Sequence, residues 1–296
     1  MKNLNYIFFV LALSFVVQIN AQQDPHFGLY KYSMNIINPA FAGIEEELEM
    51  LISTRTQWVN FEGSPKTLSF NANMPVGNNL GVGLSIVNDN VFVLDETHLY
   101  ADISYNISLD RYTELFLGIK AGGSFLNIDL LKLGVTNDPL FSQNTNSFNP
   151  NVGIGFLLKG EKYYASLSAP GLLNNTRYEK EGIQPVEAND RFHMYLGGGY
   201  EFEVSDNWKL SPSALIKTAV GSPTSIDLTT TTTYMDLMEV GANYRFSESI
   251  SAIFTMRLEY WGQIGYVYEH TLSDINKDYS INGSHEIIFK FFFGRN

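Results

Sequence analysis

The chain contains no cysteine among its 296 residues. This absence excludes disulfide bonds, cysteine-ligated zinc, thiol catalysis and a lipid-modified anchor cysteine. Charged residues are also scarce, at 17% against a usual value of about 25%. Lysine and arginine together number 19 against 31 acidic residues, which gives a formal net charge of -12. A chain this acidic argues against nucleic acid as a partner.

Long apolar runs are absent after residue 21, so no stretch of the remaining sequence predicts a membrane-spanning helix. The amino terminus itself reads MKNLNYIFFVLALSFVVQINAQQ, with Lys2 before an apolar stretch at 7–17 and the small residue Ala21 at its end. This order is typical of a secretory signal peptide. We therefore predict a signal peptide over residues 1–21, and an exported chain that can enter a membrane only as strands.

Apolar and polar residues alternate along most of the chain. In the stretch HLYADISYNISLD at 98–110, one face carries only Leu99, Ala101, Ile103, Tyr105, Ile107 and Leu109. A period of two predicts a β-strand, because successive side chains point to opposite faces of the pleat. Similar segments recur to give about fourteen candidate strands, most of them near the length of a tilted membrane-spanning strand. No segment with a helical period and no linker interrupts them.

The lengths of the connections between these strands indicate whether protein or lipid covers the apolar face. A soluble barrel buries that face, whereas a transmembrane barrel exposes it to lipid. The three long connections, near 129–149, 170–190 and 270–283, all follow odd-numbered strands, so in a meander they emerge at one end. Outer-membrane barrels have short periplasmic turns and long external loops. We predict an all-β fold, a transmembrane antiparallel β-barrel of about fourteen strands over residues 44–296, with lipid around it and the long connections outside.

The segment from Gln22 to Gly43, QQDPHFGLYKYSMNIINPAFAG, precedes the first predicted strand. It is rich in aromatic residues but has no periodicity, and Pro25 and Pro39 interrupt regular structure. Apolar side chains are costly to leave in water. We therefore predict a periplasmic or lumenal segment over residues 22–43, packed inside the barrel or against its periplasmic mouth rather than free as a tail.

A second segment, RTQWVNFEGSPKT at 55–67, suits a turn between the first and second strands, because Gly63, Ser64 and Pro65 are turn-forming residues. Trp58 and Phe61 allow two interpretations. They are either aromatic anchors at the membrane interface or part of a docking surface.

Signals for catalysis or metal binding are weak. The sequence has no HExxH, GxSxG or SxxK motif and no phosphate-binding glycine loop. Its five histidines have no metal-ligand spacing. The stretch 274–280 resembles the start of a calcium loop, but Tyr279 stands where an EF-hand needs glycine and His285 where it needs glutamate. We predict no enzyme, no cofactor and no metal, and glycines at 81/83, 153/155 and 197–199 that serve close packing on the inner face.

Five short motifs resemble the PorP/SprF family of type IX secretion outer-membrane proteins. They occur in the order that the family has them and span nearly the whole mature chain: QQDPHF at 22–27, INPAFAG at 37–43, RTQWVNFEGSPKT at 55–67, GYVYE at 265–269 and HEI at 285–287. Asn60 and Phe41 depart from the glycine and tyrosine that are common at these positions in the family.

The resemblance implies an outer-membrane β-barrel of a Bacteroidota-type bacterium. Such a barrel would help to export or attach large surface proteins, gliding adhesins among them, by recognising their C-terminal domains alongside other type IX secretion components. The family has no catalytic residues to carry over. The alternative is a porin-like channel for small solutes, which needs an open polar bore. The candidate docking or structural residues are Asn38, Pro39, Gly43, Arg55, Gln57, Trp58, Phe61, Glu62, Gly63 and Pro65.

Overall fold

A computed structural model of the chain describes residues 28, 30–133, 144–173, 176–180, 186–189, 192–272 and 283–294, with the backbone alone for 176–180 and 186–189. The predicted signal peptide and the stretch 274–280 lie outside the described residues. Both therefore stay predictions.

The alternating segments form antiparallel strands, as a period of two requires. In the described part of the chain these strands are β1 (Leu48–Thr56), β2 (Lys66–Val76), β3 (Leu80–Val91), β4 (Leu94–Ser108), β5 (Glu114–Ile128), β6 (Thr145–Lys159), β7 (Tyr163–Ala169), β8 (Thr176–Lys180), β9 (Val186–Asn189), β10 (His193–Tyr200), β11 (Phe202–Ser205), β12 (Trp208–Ala219), β13 (Ser225–Tyr234), β14 (Met238–Arg245), β15 (Ser249–Leu258), β16 (Gly262–Thr271) and β17 (Ser284–Phe293).

The sheet closes on itself, because β1 pairs with β17 from Leu48–Phe293 to Thr56–His285. Both β10 and β11 pair with β12, so they form one barrel strand interrupted at Glu201. The strands β8 and β9 pair only with each other, as a separate hairpin. The wall is a closed antiparallel barrel of 14 strands. The predicted fold class is confirmed.

The apolar side chains of the wall point outward. On β4, Leu99 is 42% exposed and Ile103 is 58% exposed, whereas Asp102 between them is 1% exposed. Large charged side chains such as Arg55, Lys120 and Glu286 are fully buried on the inner face. This arrangement inverts that of a soluble barrel and is typical of a wall surrounded by lipid.

The long connections leave β5, β7 and β16 and emerge at one end of the barrel, because these strands run in the same direction. We call this the long-connection end. Short turns such as 77–79, 160–162 and 235–237 lie at the opposite end, the short-turn end. The connection after β7 contains the β8–β9 hairpin. That the long-connection end faces outside the cell stays a prediction.

Among the described residues before β1, none joins the wall. They form a turn of 3-10 helix at Tyr30–Tyr32, the short helix α1 (Met34–Ile37) and a second 3-10 turn at Pro39–Phe41. We call residues 28 and 30–44 the arm. Within the described residues, no helix has the length and apolar character needed to span a membrane.

Candidate functional site

The arm runs through the lumen of the barrel from one end toward the other. The backbone N–H of Gly28 donates to Glu286 Oε2 at 2.6 Å, near the start of β17 at the long-connection end. The carbonyl of Ile44 accepts from Lys159 Nζ at 3.3 Å, at the last residue of β6 and so at the short-turn end. Residues 22–27 and 29 lie outside the described residues, so the predicted boundaries of the segment 22–43 stay a prediction.

Asn38 fixes the turn of the INPAFAG motif. Its Oδ1 accepts from the backbone N–H of Ala40 at 2.9 Å, which caps the turn Pro39–Phe41. Its Nδ2 donates to the carbonyl of Phe156 on β6 at 3.2 Å. Asparagine is a favoured cap, and proline suits the first position of a helical turn. One side chain thus shapes the arm and attaches it to the wall.

Glycines on the inner wall make room for the arm. Ala40 is completely buried, and a β-carbon at Gly118 would collide with the backbone of Pro39 and Ala40. At Gly155 a β-carbon would collide with the Asn38 side chain, and at Gly81 and Gly83 it would meet Ala42. The predicted close packing at 81/83 and 155 therefore has a specific partner, which is the arm. Gly153 instead packs against Pro170. Gly198 lies on the outward face of β10 with Leu196 and Tyr200, so the predicted inner-face position is wrong for this glycine.

Glu239 holds the amino half of the arm. Lys31 Nζ lies 2.6 Å from Glu239 Oε2, and the Tyr32 hydroxyl donates to Glu239 Oε1 at 2.8 Å. Burial, reinforced by the Glu239 carboxylate, raises the pKa of Tyr32. The hydroxyl therefore stays protonated and keeps its role as donor.

Arg55 lies at the centre of a buried ionic cluster. Its Nη2 is 2.8 Å from Glu269 Oε1 and its Nη1 is 3.6 Å from Glu286 Oε2. Glu269 Oε2 lies 3.9 Å from Arg245 Nη1, and Arg245 Nε lies 2.7 Å from Asp227 Oδ1. The cluster joins β1, β13, β14, β16 and β17. Three of the sequence motifs, RTQW, GYVYE and HEI, therefore meet at one place.

The turn between β1 and β2 lies at the long-connection end and contacts the residue that precedes β17. The N–H of Val59 donates to the carbonyl of Gly283 at 3.1 Å. Trp58 has a φ of 45° and Asn60 a φ of 76°, a left-handed conformation that costs non-glycine residues about 1–3 kcal/mol. The surrounding contacts must therefore hold this turn in place.

Two exposed aromatic side chains lie at this end of the barrel, one in the β1–β2 turn and one in the neighbouring β3–β4 turn. Phe61 is 44% exposed and Phe92, in the turn between β3 and β4, is 58% exposed. Phe92 covers Gly63, where a β-carbon would lie 2.8 Å from the phenylalanine Cδ2. We call Phe61 and Phe92 the rim pair.

The structure divides the predicted site residues into two groups. Asn38, Pro39, Gly43 and Arg55 are in the lumen, where they shape the arm and the ionic cluster. The others lie in the turn at the long-connection end: Gln57, Trp58, Phe61, Glu62, Gly63 and Pro65. A docking role for either group stays a prediction.

Sequence reasoning missed the wall residues that hold the arm. Glu239 occupies an inward position between the outward residues Met238 and Val240, Glu286 an inward position in the HEI motif, and Glu269 ends the GYVYE motif. The sequence signal that could have identified these residues is an acidic side chain at a position of the strand that faces the lumen. Among the described residues, no group of three or more histidine or acidic side chains is placed to hold a metal ion.

Comparisons with known proteins agree with the barrel. No curated protein sequence matched the chain. A solved structure of the CymD monoaromatic hydrocarbon channel aligns with a TM-score of 0.52 and 9% identity, over 88% of this chain and 91% of that chain. The Acinetobacter baumannii outer membrane protein Omp33 aligns with a TM-score of 0.50 and 8% identity, over 85% of this chain and 100% of that chain. At these identities the likeness shows the fold alone.

The family comparison covers nearly the whole chain. A family profile described as "Type IX secretion system membrane protein PorP/SprF" matches residues 19–291. It describes membrane proteins of a secretion system and not a known enzyme family. Together with a closed barrel whose apolar side chains point outward, the match assigns the chain to the outer membrane. The chain belongs to the PorP/SprF family of type IX secretion system membrane proteins.

Proposed function

We propose that this barrel binds the C-terminal domain of a large exported surface protein at its long-connection end, while that protein is exported or attached. Membership of a type IX secretion family implies contact with cargo and with other secretion components. The barrel itself acts as a non-enzymatic receptor in this proposal.

The observation that carries the proposal is the rim pair, Phe61 and Phe92. Exposed apolar side chains grouped at one place mark interaction sites in many proteins. Asn60 and Glu62, on either side of Phe61, are exposed and polar, so the pair is not simply a continuation of the apolar band of the wall. Polar residues around an aromatic centre are typical of protein interfaces.

The strained backbone beneath the rim pair supports the same proposal. Trp58, Asn60 and Phe92 all have positive φ values. Such conformations persist only where the surroundings hold them, and they occur often at functional sites. A rigid turn presents its aromatic side chains with little loss of entropy on binding.

The alternative is a channel for small solutes, as the structurally similar CymD monoaromatic hydrocarbon channel is. A channel needs an open polar bore. In this barrel the arm occupies the lumen and packs against its glycines, which favours docking over solute uptake.

The proposal is tested by deleting the gene. We expect one specific large protein to disappear from the cell surface and to be retained in the cell or degraded, with little change in small-solute uptake. The C-terminal domain of that protein should co-purify with the detergent-solubilised barrel. Normal surface display combined with impaired solute uptake would overturn docking in favour of the channel.

A further inference from the structure

We propose that the arm is a plug that closes the barrel to small solutes, and that the contacts of Lys31 and Tyr32 with Glu239 are the latch that holds it. This inference goes beyond docking, because a docking barrel can have an open or a closed lumen.

A barrel of this size needs something to fill it. Eight strands leave an interior that side chains fill, whereas 16–18 strands leave an aqueous channel. A 14-strand wall lies between these cases, and glycine occupies the inward positions 81, 83, 118 and 155. The wall's own side chains therefore leave space, and the arm fills it with buried residues such as Asn35, Ile37 and Ala40.

The arm contacts the wall on opposite sides of the lumen. Ala40 packs with Phe116 on β5 and Leu157 on β6, and the carbonyl of Ile37 accepts from Ser168 on β7 at 2.8 Å. Met34 and Ile37 form an apolar cluster with residues of β10 and β12. Lys31 reaches β14. A segment that touches so many strands blocks the cross-section of the lumen.

The cavity beside the amino half of the arm is small. It is lined in part by Tyr30, Lys31 and Asp227 and has a volume of about 40 Å³. At roughly 10–15 Å³ for each water molecule, it holds about three waters. A sugar or an amino acid does not fit in this cavity.

The two halves of the arm are held by different forces. The carboxyl half packs tightly, with Ala40 and Ala42 completely buried against glycines. The amino half depends on two carboxylates, since Glu239 holds Lys31 and Tyr32 and Glu286 holds the N–H of Gly28. Lys31 keeps nearly half of its side chain exposed, so water competes for its ion pair. The amino half is therefore the part that moves when the lumen opens.

A disulfide can test this movement cleanly, because the chain has no cysteine of its own. A β-carbon built at Gly28 would lie 3.1 Å from Val267 Cγ1 on β16. In a disulfide, the β-carbon of one cysteine lies about 3 Å from the sulfur of the other. The pair Gly28→Cys and Val267→Cys should therefore join the arm to the wall when oxidised and free it when reduced.

The experiment measures ion conductance of the purified full-length barrel in planar lipid bilayers. We expect the wild type to stay closed almost all the time. Lys31→Ala combined with Glu239→Gln should raise the open fraction about tenfold or more, because the latch is lost. Adding the cysteine pair to this latch variant should return it to the wild-type level when oxidised and reopen it on reduction.

The matched control is Lys162→Ala with Glu203→Gln, which removes an exposed ion pair of 3.1 Å that does not involve the arm. It should leave conductance unchanged. A wild type that conducts as steadily as the latch variant would overturn the plug. A latch variant as closed as the wild type, or one indifferent to oxidation of the cysteine pair, would overturn the latch. Surface display of cargo in the same strains reports on docking separately.

Discussion

Arg55 on the first strand pairs with two carboxylates from the last two strands, at 2.8 Å from Glu269 and 3.6 Å from Glu286. In the closing pair of strands, Arg55 stands directly opposite Glu286. The Arg55 side chain is 1% exposed, so water does not replace a lost partner. The same Glu286 accepts from the backbone N–H of Gly28 in the arm. One ionic cluster therefore links β1 and β17, the two strands that close the barrel, to the arm in the lumen.

Replacing Arg55 by methionine should lower the free energy of unfolding by about 3–5 kcal/mol, because two buried carboxylates lose the cation that lies between them and Glu269 keeps only the more distant Arg245. Urea unfolding of the folded barrel in detergent measures this loss. The exposed control Lys162→Met should cost about 0–1 kcal/mol. Adding Glu269→Gln and Glu286→Gln to Arg55→Met should recover part of the stability, and no recovery would contradict the buried-charge explanation.

Replacing Gly118 by valine should force the arm out of the lumen, since even a β-carbon at this position collides with Pro39 and Ala40. Trypsin should then cleave after Lys31, which it should spare in the wild type. Gly198→Val adds the same atoms at an outward position on β10 and serves as the control. Persistence of the barrel is checked by its heat-dependent shift on gels, and an arm still protected in a folded Gly118→Val barrel would rule out this packing.

Single cysteines at Asn144, Glu181 and Lys277 should all react with an impermeant thiol reagent on whole cells, because the three long connections emerge at one end. A cysteine at Asn78, in a turn at the opposite end, should react only after the outer membrane is opened. Labelling of Asn78→Cys on intact cells, with the other three protected, would reverse the proposed orientation.

Replacing both Phe61 and Phe92 by alanine should reduce co-purification of the cargo's C-terminal domain about tenfold, as expected when interface hot spots are removed. Phe202→Ala is the control, because this exposed ring lies on the wall near the short-turn end. Equal amounts of barrel in the membrane must be verified for each variant. If the double variant keeps full co-purification but inserts poorly, the rim pair is a membrane anchor instead.

The strands of the wall were predictable because the alternation of apolar and polar residues is a local pattern in the sequence. Leu99 to Leu109 alternate with polar residues, and every member of that apolar face is exposed in the structure. The common end of the long connections follows from strand parity alone. The β8–β9 hairpin inside one long connection, and the interruption at Glu201 that separates β10 from β11, were not predicted, because neither leaves a periodic signal of its own.

The arm and the ionic cluster depend on contacts between distant residues. Nothing near Asn38 in the sequence indicates that its side chain reaches Phe156, and nothing near Arg55 indicates Glu269. The resemblance to a family singled out many of these residues, but it gave them no physical role. Only the closed sheet brings the motifs together, since the pairing of β1 with β17 is what places Arg55 opposite Glu286.

The bond between Gly28 and Glu286 also constrains the order of assembly. It joins residues 258 positions apart, so it forms only after the last strand has arrived. Contacts of such long range are slow to form, because the chain loses much entropy before they stabilise it. The arm is synthesised before the wall, but it is bound by the last strand of the wall. Insertion of β17 therefore both closes the barrel and fixes the arm inside it.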